Sequence, residues 1–408
     1  MESFFKVEKI CNLKNLHKNF PCINTEKIET KNALNRVTAE NIYAKNHVPG
    51  FNRSTMDGFA VKSSDTFGAS QSSPLILNAK YKSIMGEIPD FMLNQGEAAL
   101  IGTGGMLPDG ADAVVIIENT SWLNKTEIEI YTSTAPFSNT LKKDDDYHKG
   151  SLVLEKGTKI TKKNIAALIS SDQDEIFVFK NLKAGIISTG DEIDENKNLS
   201  HGKIRDLNRH ILSAVCLENG FEPVFYGVSK DTKESLEEKT RLALKECSCV
   251  IISGGSSVGT RDITIKAIEN LEDSEILVHG IAMSPGKPAI IARAGKIPVF
   301  GLPGNPFSCF CVFYIAVIPF LKHISGMKNP FDRPFVKAAL TRNVHSASGR
   351  TDFIRVKLHI ENNNVHAIPI PGHSGLSRPL AQCDGLLEIP ENKEGGIKGE
   401  IFFVHLIQ

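Results

Sequence analysis

Three glycine-punctuated turns, each directly after a short apolar run, carry the residues best suited to chemistry in this chain. They read Ile186-Ile187-Ser188-Thr189-Gly190-Asp191-Glu192, then Val250-Ile251-Ile252-Ser253-Gly254-Gly255-Ser256-Ser257-Val258-Gly259, then Val299-Phe300-Gly301-Leu302-Pro303-Gly304-Asn305-Pro306. Each apolar run reads as a buried strand, and a helical pattern follows at least the last two. In an open parallel sheet such turns gather at the carboxyl ends of the strands, where α/β folds place their ligands. Backbone N–H groups exposed by glycine at a helix start favour an anion. Asp191, Glu192 and Asp262 are expected at the same edge, and carboxylates beside an anion site imply a bridging divalent cation. The expected ligand is therefore anionic and phosphorylated, held with a hard metal ion.

Other motifs are less decisive by themselves. Gly254 to Arg261 has the glycine spacing of a Walker loop, but Thr260-Arg261 replaces its lysine and hydroxyl residue, which argues against a P-loop NTPase. A tight strand-to-helix turn without a ligand is the alternative. Lys287 lies between two prolines in Pro285-Gly286-Lys287-Pro288, either a solubilising surface charge or a cation fixed to meet an oxyanion. Ser54-Thr55-Met56-Asp57-Gly58-Phe59 places a carboxylate in a turn that could equally be ordinary hairpin chemistry. Asp144-Asp145-Asp146 could be a solvated loop. The twelve histidines show no H-x-x-x-H or H-E-x-x-H spacing, so no histidine-built zinc site is expected. No Ser/His/Asp arrangement and no G-x-S-x-G elbow is recognisable.

The elements that must position these residues divide the chain. At 408 residues it is too long for one ordinary core. Residues 1 to 49 read as helical and amphipathic, and 164 to 173 as a helix returning to them after a hairpin over 150 to 161. Residues 1–49 and 138–180 therefore form a discontinuous first domain, interrupted by a β-rich insert over 50–137. Residues 181–327 alternate strand and helix, with helices over 207–219, 233–245 and 262–271, which predicts a parallel sheet covered on both faces. Residues 328–408 return to short strands and form a C-terminal β domain. Phe307 to Leu321 carries no charge but falls short of the ~20 residues of a membrane span. With Asn305 as N-cap and Pro306 at the first helical position, it reads as a buried helix.

Composition excludes several function classes. Lysine plus arginine number 47 and aspartate plus glutamate 47, so no bulk charge draws the chain to nucleic acid or membrane. Eight scattered cysteines without a C-x-x-C pair read as reduced thiols of a cytoplasmic protein. The N-terminus lacks an apolar signal core.

Taken in order, the motifs resemble one family. Asn52-Arg53-Ser54-Thr55-Met56-Asp57-Gly58-Phe59-Ala60-Val61 is similar to the S-x-M-D-G-[YF]-A signature of molybdopterin molybdenumtransferases, the MoeA and gephyrin E-domain family. Ile101-Gly102-Thr103-Gly104, Ser188 to Glu192, Ser253-Gly254-Gly255 with Ser257-Val258-Gly259 and Asp262, Pro285 to Pro288 and Gly301 to Pro306 follow in that family's order. Gly349-Arg350-Thr351-Asp352-Phe353 resembles its G-R-x-[DE]-F element.

The resemblance implies an elongated multidomain subunit of α/β and β domains, its α/β domain like that of molybdopterin adenylyltransferases. It implies a homodimer with an active cleft shared between subunits, and insertion of molybdate into adenylylated molybdopterin with release of AMP, dependent on Mg²⁺. By motif position the polar set would be Asp57, Thr103, Asp146, Glu192, Asp231 and Asp262, with Lys287 meeting the anion. Ser253, Gly254, Gly255, Ser257, Gly259, Pro303, Gly304 and Asn305 would hold the pterin substrate, and Glu192, Asp231 and Asp262 the metal. Candidate partners are molybdopterin adenylyltransferase and molybdoenzyme apoproteins. Ser284, Thr260 and Arg205 depart from the usual pattern, where a cation, an acid and a tyrosine respectively are frequent. Two alternatives are a molybdopterin adenylyltransferase and a non-catalytic binding or scaffold protein of the same fold.

Overall fold

The computed structural model describes residues 7–194, 199–254 and 258–407, with the side chains of 258–262 also outside the description. The first segment corrects the helical expectation. Only Ile10–Leu16 is α-helical, while Thr25–Glu29 is a strand pairing antiparallel with Glu175–Phe179. Helix propensity of the Glu and Lys residues there yields to tertiary packing, because Ile28 and its neighbour Ile176 join a small core with Ile160 and Leu168. Asn35 adopts a left-handed φ of 65°, which no continuous helix passes through. The expected hairpin over 150 to 161 is likewise replaced: Leu152–Leu154 pairs with Ile42–Tyr43, burying Leu154 beside Ile42. The helix Lys162–Ser170 forms as expected, with a capping box between Thr161 and Asn164.

Two strands of chain, at 47–49 and 144–149, form a narrow neck into and out of the β-rich segment. Within that segment Gly58–Val61 lies between Glu97–Ile101 and Ala113–Ile116, both antiparallel to it. Phe59 and Val61 pack on one face of the sheet and Ala60 on the other. A Cβ at Gly58 would overlap the Val115 carbonyl, so glycine here is set by strand approach as well as by the turn.

The α/β segment carries a sheet whose described strands run in the order Glu222–Ser229, Lys183–Thr189, Cys249–Ser253, Ile297–Leu302, Ile290–Ala294, Ser274–His279. The first four are parallel; Ile290–Ala294 runs antiparallel to them, and Ser274–His279, pairing antiparallel with it, returns to their direction. The parallel sheet expected from the alternation is thus present, extended at one edge by antiparallel pairing. Gly295, at φ 58°, closes a tight turn pairing Ala294 with Ile297, and a turn this short can only join antiparallel strands. Both faces are covered as the apolar runs require. Ile186, Ile251 and Phe300 meet the helices Leu207–Glu218 and Pro306–Val312 on one side. Ile187, Val250 and Ile252 meet Lys233–Glu246 and the distal part of Val258–Glu269 on the other.

The apolar helix after Asn305 is long and apolar enough to cross a bilayer, but 83% of its apolar window is buried inside the fold. It runs Pro306–Val312, widens into one π turn over Phe313–Val317 and continues as Ile318–Ile324. Pro319 lacks an N–H and crowds the preceding turn, and the wider turn accommodates it. In the C-terminal segment, Thr351–Glu361, Asn364–Pro369, Phe335–Leu340, Ile401–Leu406 and Gly385–Ile389 pair successively, and the last pairs back to the first. The sheet thus closes into a barrel and removes its edges. Met283–Ser284 adds to this barrel in parallel beside Thr351–Asp352, joining the α/β sheet's side of the molecule to it.

Phe320 is fully buried and contacts Phe20 of the first segment and Phe300 of the sheet, both edge-to-face. Phe320→Ala should lower stability by about 3–5 kcal/mol, measured as a shift of the first urea transition of the purified protein.

Candidate active site

A cleft of about 670 Å³ opens at the carboxyl ends of the parallel strands. It sits where Lys183–Thr189 and Cys249–Ser253 lie side by side but send their connections to opposite sides of the sheet, the switch point of an open α/β fold. Its lining includes Thr189, Gly190, Glu192, Asp231, Ser253, Gly254, Gly304 and Asn305. A smaller hollow of about 390 Å³ lies at the opposite end of the sheet, near Lys183 and Pro298. It has neither a glycine turn nor a group of carboxylates.

The cleft depends on close backbone approach. Gly254 has a φ of 108°, and a Cβ there would lie 2.6 Å from Thr189 Oγ1 and nearer still to the Thr189 carbonyl. Only glycine fits. At Gly190, φ 146°, a Cβ would lie 2.7 Å from the Glu192 carboxylate, which folds back over that glycine.

The acidic side chains are gathered by backbone hydrogen bonds. The Asp191 N–H donates to Asp231 Oδ2 at 3.4 Å, and the Asp231 N–H donates to Asp191 Oδ1 at 3.3 Å. This reciprocal pair holds two carboxylates together at neighbouring strand ends. Burial raises the Asp231 carboxyl pKa above its ordinary value, and the charges of Asp191 and Glu192 raise it further against the Asp191 N–H bond. Carboxylates gathered in this way offer hard oxygen donors, the kind a divalent cation takes.

Several polar atoms are buried here without a protein partner among the described residues: Thr189 Oγ1, Asp206 Oδ2 and Asn208 Oδ1. Asp206 caps its helix by accepting from the Arg209 N–H at 2.9 Å through Oδ1. Asn208 Nδ2 donates to the Gly304 carbonyl at 2.8 Å, tying the first helix to the third turn. Both residues line the cleft, so their remaining acceptors suit a ligand that brings N–H donors. No motif spacing marks Asp206 and Asn208 as site residues. An aspartate opening a helix two positions before an asparagine was the available signal, but it is also an ordinary cap.

The other expected residues are distributed as follows. Asp57 Oδ1 accepts from the Thr103 N–H at 2.7 Å and the Thr103 hydroxyl at 2.9 Å. These bonds, the backbone one foremost, hold the Asp57 carboxyl below its ordinary pKa. This pair is exposed on the β-rich segment, none of whose residues lines the cleft. Asp146 is exposed on the neck, and Lys287 is exposed on the turn after Met283–Ser284. Pro303 is buried beneath the third turn and does not line the cleft. Asn305 occupies the cap position of its helix without a side-chain cap bond and borders the cleft instead. Gly255 and Ser257 lie outside the described residues, as does the side chain of Asp262. The backbones of Gly259 and Asp262 belong to the first turns of Val258–Glu269.

Comparison with known proteins gives matches along the chain. Residues 7–171 match the MoeA N-terminal region, domains I and II. Residues 185–323 match the probable molybdopterin binding domain, and 337–407 the MoeA C-terminal region, domain IV. A Methanocaldococcus jannaschii protein assigned to molybdopterin biosynthesis is 36% identical over 393 residues, covering 94% of this chain and 92% of its own. The molybdopterin molybdenumtransferase of Bacillus subtilis is 31% identical over 389 residues, covering 94% and 90%. The crystal structure of a molybdopterin biosynthesis MoeA protein from Pyrococcus horikosii superposes with a TM-score of 0.81 at 38% identity, covering 98% and 99%.

The raised Asp231 carboxyl gives a pH-dependent expectation. A carboxyl whose folded pKa is raised favours folding at low pH, and that contribution is lost as pH rises through the unfolded value of 3.8 toward the folded one. At pH 7 without divalent cations, Asp231→Asn should therefore melt at a higher temperature than the wild type. The difference should vanish near pH 3, where both side chains are neutral. Differential scanning calorimetry at the two pH values checks it.

Proposed function

The chain belongs to the MoeA family, and from that premise we propose that it is a molybdopterin molybdenumtransferase acting in molybdenum cofactor biosynthesis. Its substrates are adenylylated molybdopterin and molybdate, and its products are AMP and the metal-bearing pterin. The observation that carries this reading is the cleft at the switch point, with its glycine turns, gathered carboxylates and buried unpartnered acceptors on one rim. A pterin presents N–H donors to match Asp206 Oδ2 and Asn208 Oδ1, and a phosphate suits Thr189 Oγ1 and the helix start at Val258.

Glu192 and Asp231, with Asp262 as the third candidate, would hold Mg²⁺. Bound there, the ion supplies neutralisation of the phosphoanhydride charge. The chain's own residues fix the substrate: Gly190 and Gly254 admit it close to the backbone, and Asn208 locks the Gly304 turn in place. Lys287, exposed on its turn and outside the residues that line the cleft, would meet the molybdate dianion, which needs cations, hydroxyls and backbone N–H groups. Ser284, where a further cation is frequent, leaves more of that task to Lys287. The five buried cysteines are protected thiols, Cys309 pushed up to about 12 by burial, and eight scattered cysteines without a C-x-x-C pair suit a reducing cytoplasm.

The Asp57–Thr103 pair stands on a segment that contributes nothing to this cleft, which supports a homodimer in which Asp57 of the partner subunit completes each site. Incubation with adenylylated molybdopterin, Mg²⁺ and molybdate should yield AMP and metal-bound pterin; a scaffold protein would give neither. Asp57→Ala and Asp231→Ala proteins should each be inactive. After mixing and subunit exchange, about half the dimers are mixed and each carries one intact cleft, so roughly a quarter of wild-type activity should return. No recovery, with exchange confirmed by native mass spectrometry, would refute the shared cleft and leave the reaction standing.

A further inference from the structure

The neck between the first segment and the β-rich insert is built from two short stretches of chain. The Val48 N–H donates to the Tyr147 carbonyl at 2.8 Å, and the Tyr147 and Asp146 N–H groups donate to the Val48 carbonyl at 3.0 and 2.9 Å. The Asp144 N–H donates to the Pro49 carbonyl at 3.1 Å. On this neck three side chains converge: His47 from the inward strand, Asp144 and His148 from the returning one. One potential ligand atom of each lies within 4.8 Å of the other two. His148 Nδ1 is 3.4 Å from Asp144 Oδ2, and His47 Nδ1 is in direct contact with Asp144 Oδ1.

Four-coordinate zinc places nitrogen and oxygen ligands at about 2.0–2.2 Å, hence about 3.3–3.5 Å from one another. The His148 Nδ1–Asp144 Oδ2 separation already has that value, while the closer His47 Nδ1–Asp144 Oδ1 contact opens to it by a small side-chain rotation when a metal binds. Hydrogen bonding leaves this cluster poorly satisfied. His47 Nδ1 accepts from the Lys149 N–H at 3.4 Å, so in that tautomer its ring nitrogen cannot also donate to Asp144. Asp144 Oδ1 is shielded from solvent and makes no well-directed hydrogen bond among the described residues. Two acceptors in contact need either a proton on the imidazole or a cation coordinated beside them, and a metal there would take over the Nδ1 lone pair that now accepts from Lys149.

We propose that His47, Asp144 and His148 form a site for a borderline divalent transition metal, Zn²⁺ foremost, that clamps the neck. Two imidazoles and one carboxylate suit Zn²⁺ or Co²⁺ and not Mg²⁺, which avoids nitrogen ligands. His148 is largely exposed, with a side-chain accessibility of 74%, so water completes the coordination. A metal here ties the strand entering the insert to the strand leaving it. That fixes the orientation of the domain carrying Asp57 and Thr103, at a place remote in kind from the carboxylate cleft. No histidine spacing in the sequence announces the site, because His47 is nearly a hundred residues from its partners and meets them only across the neck.

The test uses the full-length protein stripped with chelator, then titrated with Zn²⁺ against a chromophoric competitor, and with Co²⁺ by visible absorption. His148→Ala tests an exposed ligand whose loss leaves the fold intact, and His47→Gln tests the other strand. Wild type should bind one equivalent of Zn²⁺ more than either variant, at an affinity at least about tenfold higher. Its Co²⁺ spectrum should lack thiolate charge transfer, which separates this site from the exposed Cys11 and Cys22. Amide hydrogen exchange over 47–49 and 144–149 should slow on Zn²⁺ addition in wild type alone. Identical Zn²⁺ isotherms in wild type and both variants would overturn the site and leave a histidine–aspartate ion pair only. Binding lost in the variants with neck exchange unmoved by Zn²⁺ would overturn the clamp.

Discussion

The approach of Gly254 to Thr189 is the constraint on which the rest of the site depends. Two neighbouring parallel strands end together, and their carboxyl-terminal loops must turn away from each other within one residue. A side chain at Gly254 would occupy the space of the Thr189 carbonyl, so the two loops can meet only with glycine there. Once they meet, Thr189, Ser253 and the backbone that follows them form one wall. The reciprocal Asp191–Asp231 bonds then add the carboxylates at the next strand over. Among the described residues the arrangement gives Thr189 Oγ1 and Asp206 Oδ2 no protein partner, a cost that a bound polar ligand relieves.

Such a rim requires a support that does not yield. The parallel strands are buried on both faces, with alternate residues Ile186 and Ile187, then Val250 and Ile251, committed to opposite cores. Slipping any strand by one residue would exchange those cores, so the register of the loops is fixed by the packing beneath them. The Pro306–Ile324 helix supplies much of one core and begins at the third turn, where Asn208 binds the Gly304 carbonyl. The closed C-terminal barrel extends this frame through the parallel contact of Met283–Ser284 with Thr351–Asp352, which also fixes the start of the turn bearing Lys287. By contrast, the β-rich segment is joined to the first segment by the backbone hydrogen bonds of the neck, and the His47–Asp144–His148 cluster sits on that connection.

Local pattern and tertiary context diverge where short segments find distant partners. Thr25–Glu29 and Leu152–Leu154 have compositions that fit a helix and a hairpin, but their strand partners lie far along the chain. No local signal encodes that pairing. The antiparallel strand Ile290–Ala294 is legible in principle from Ala294-Gly295-Lys296, but the surrounding alternation of strands and helices outweighs one glycine turn. Asp206 was similarly hidden: its cap role is local, while its second oxygen acquires meaning only from the cleft wall opposite.

The sequence by itself determined the three strand–turn units, the buried helix after Asn305, the class of β domain at the C-terminus and the ordered motifs of the MoeA family. Each of these depends on interactions within a few residues: apolar runs, glycine at forced conformations, proline at a helix start. Tertiary structure alone decided which carboxylates share a rim, that Asp57 pairs with Thr103 away from that rim, and that two histidines meet an aspartate on the neck. Those outcomes turn on distances between residues far apart in the chain. They are fixed by how the cores pack, and no spacing within a motif records them.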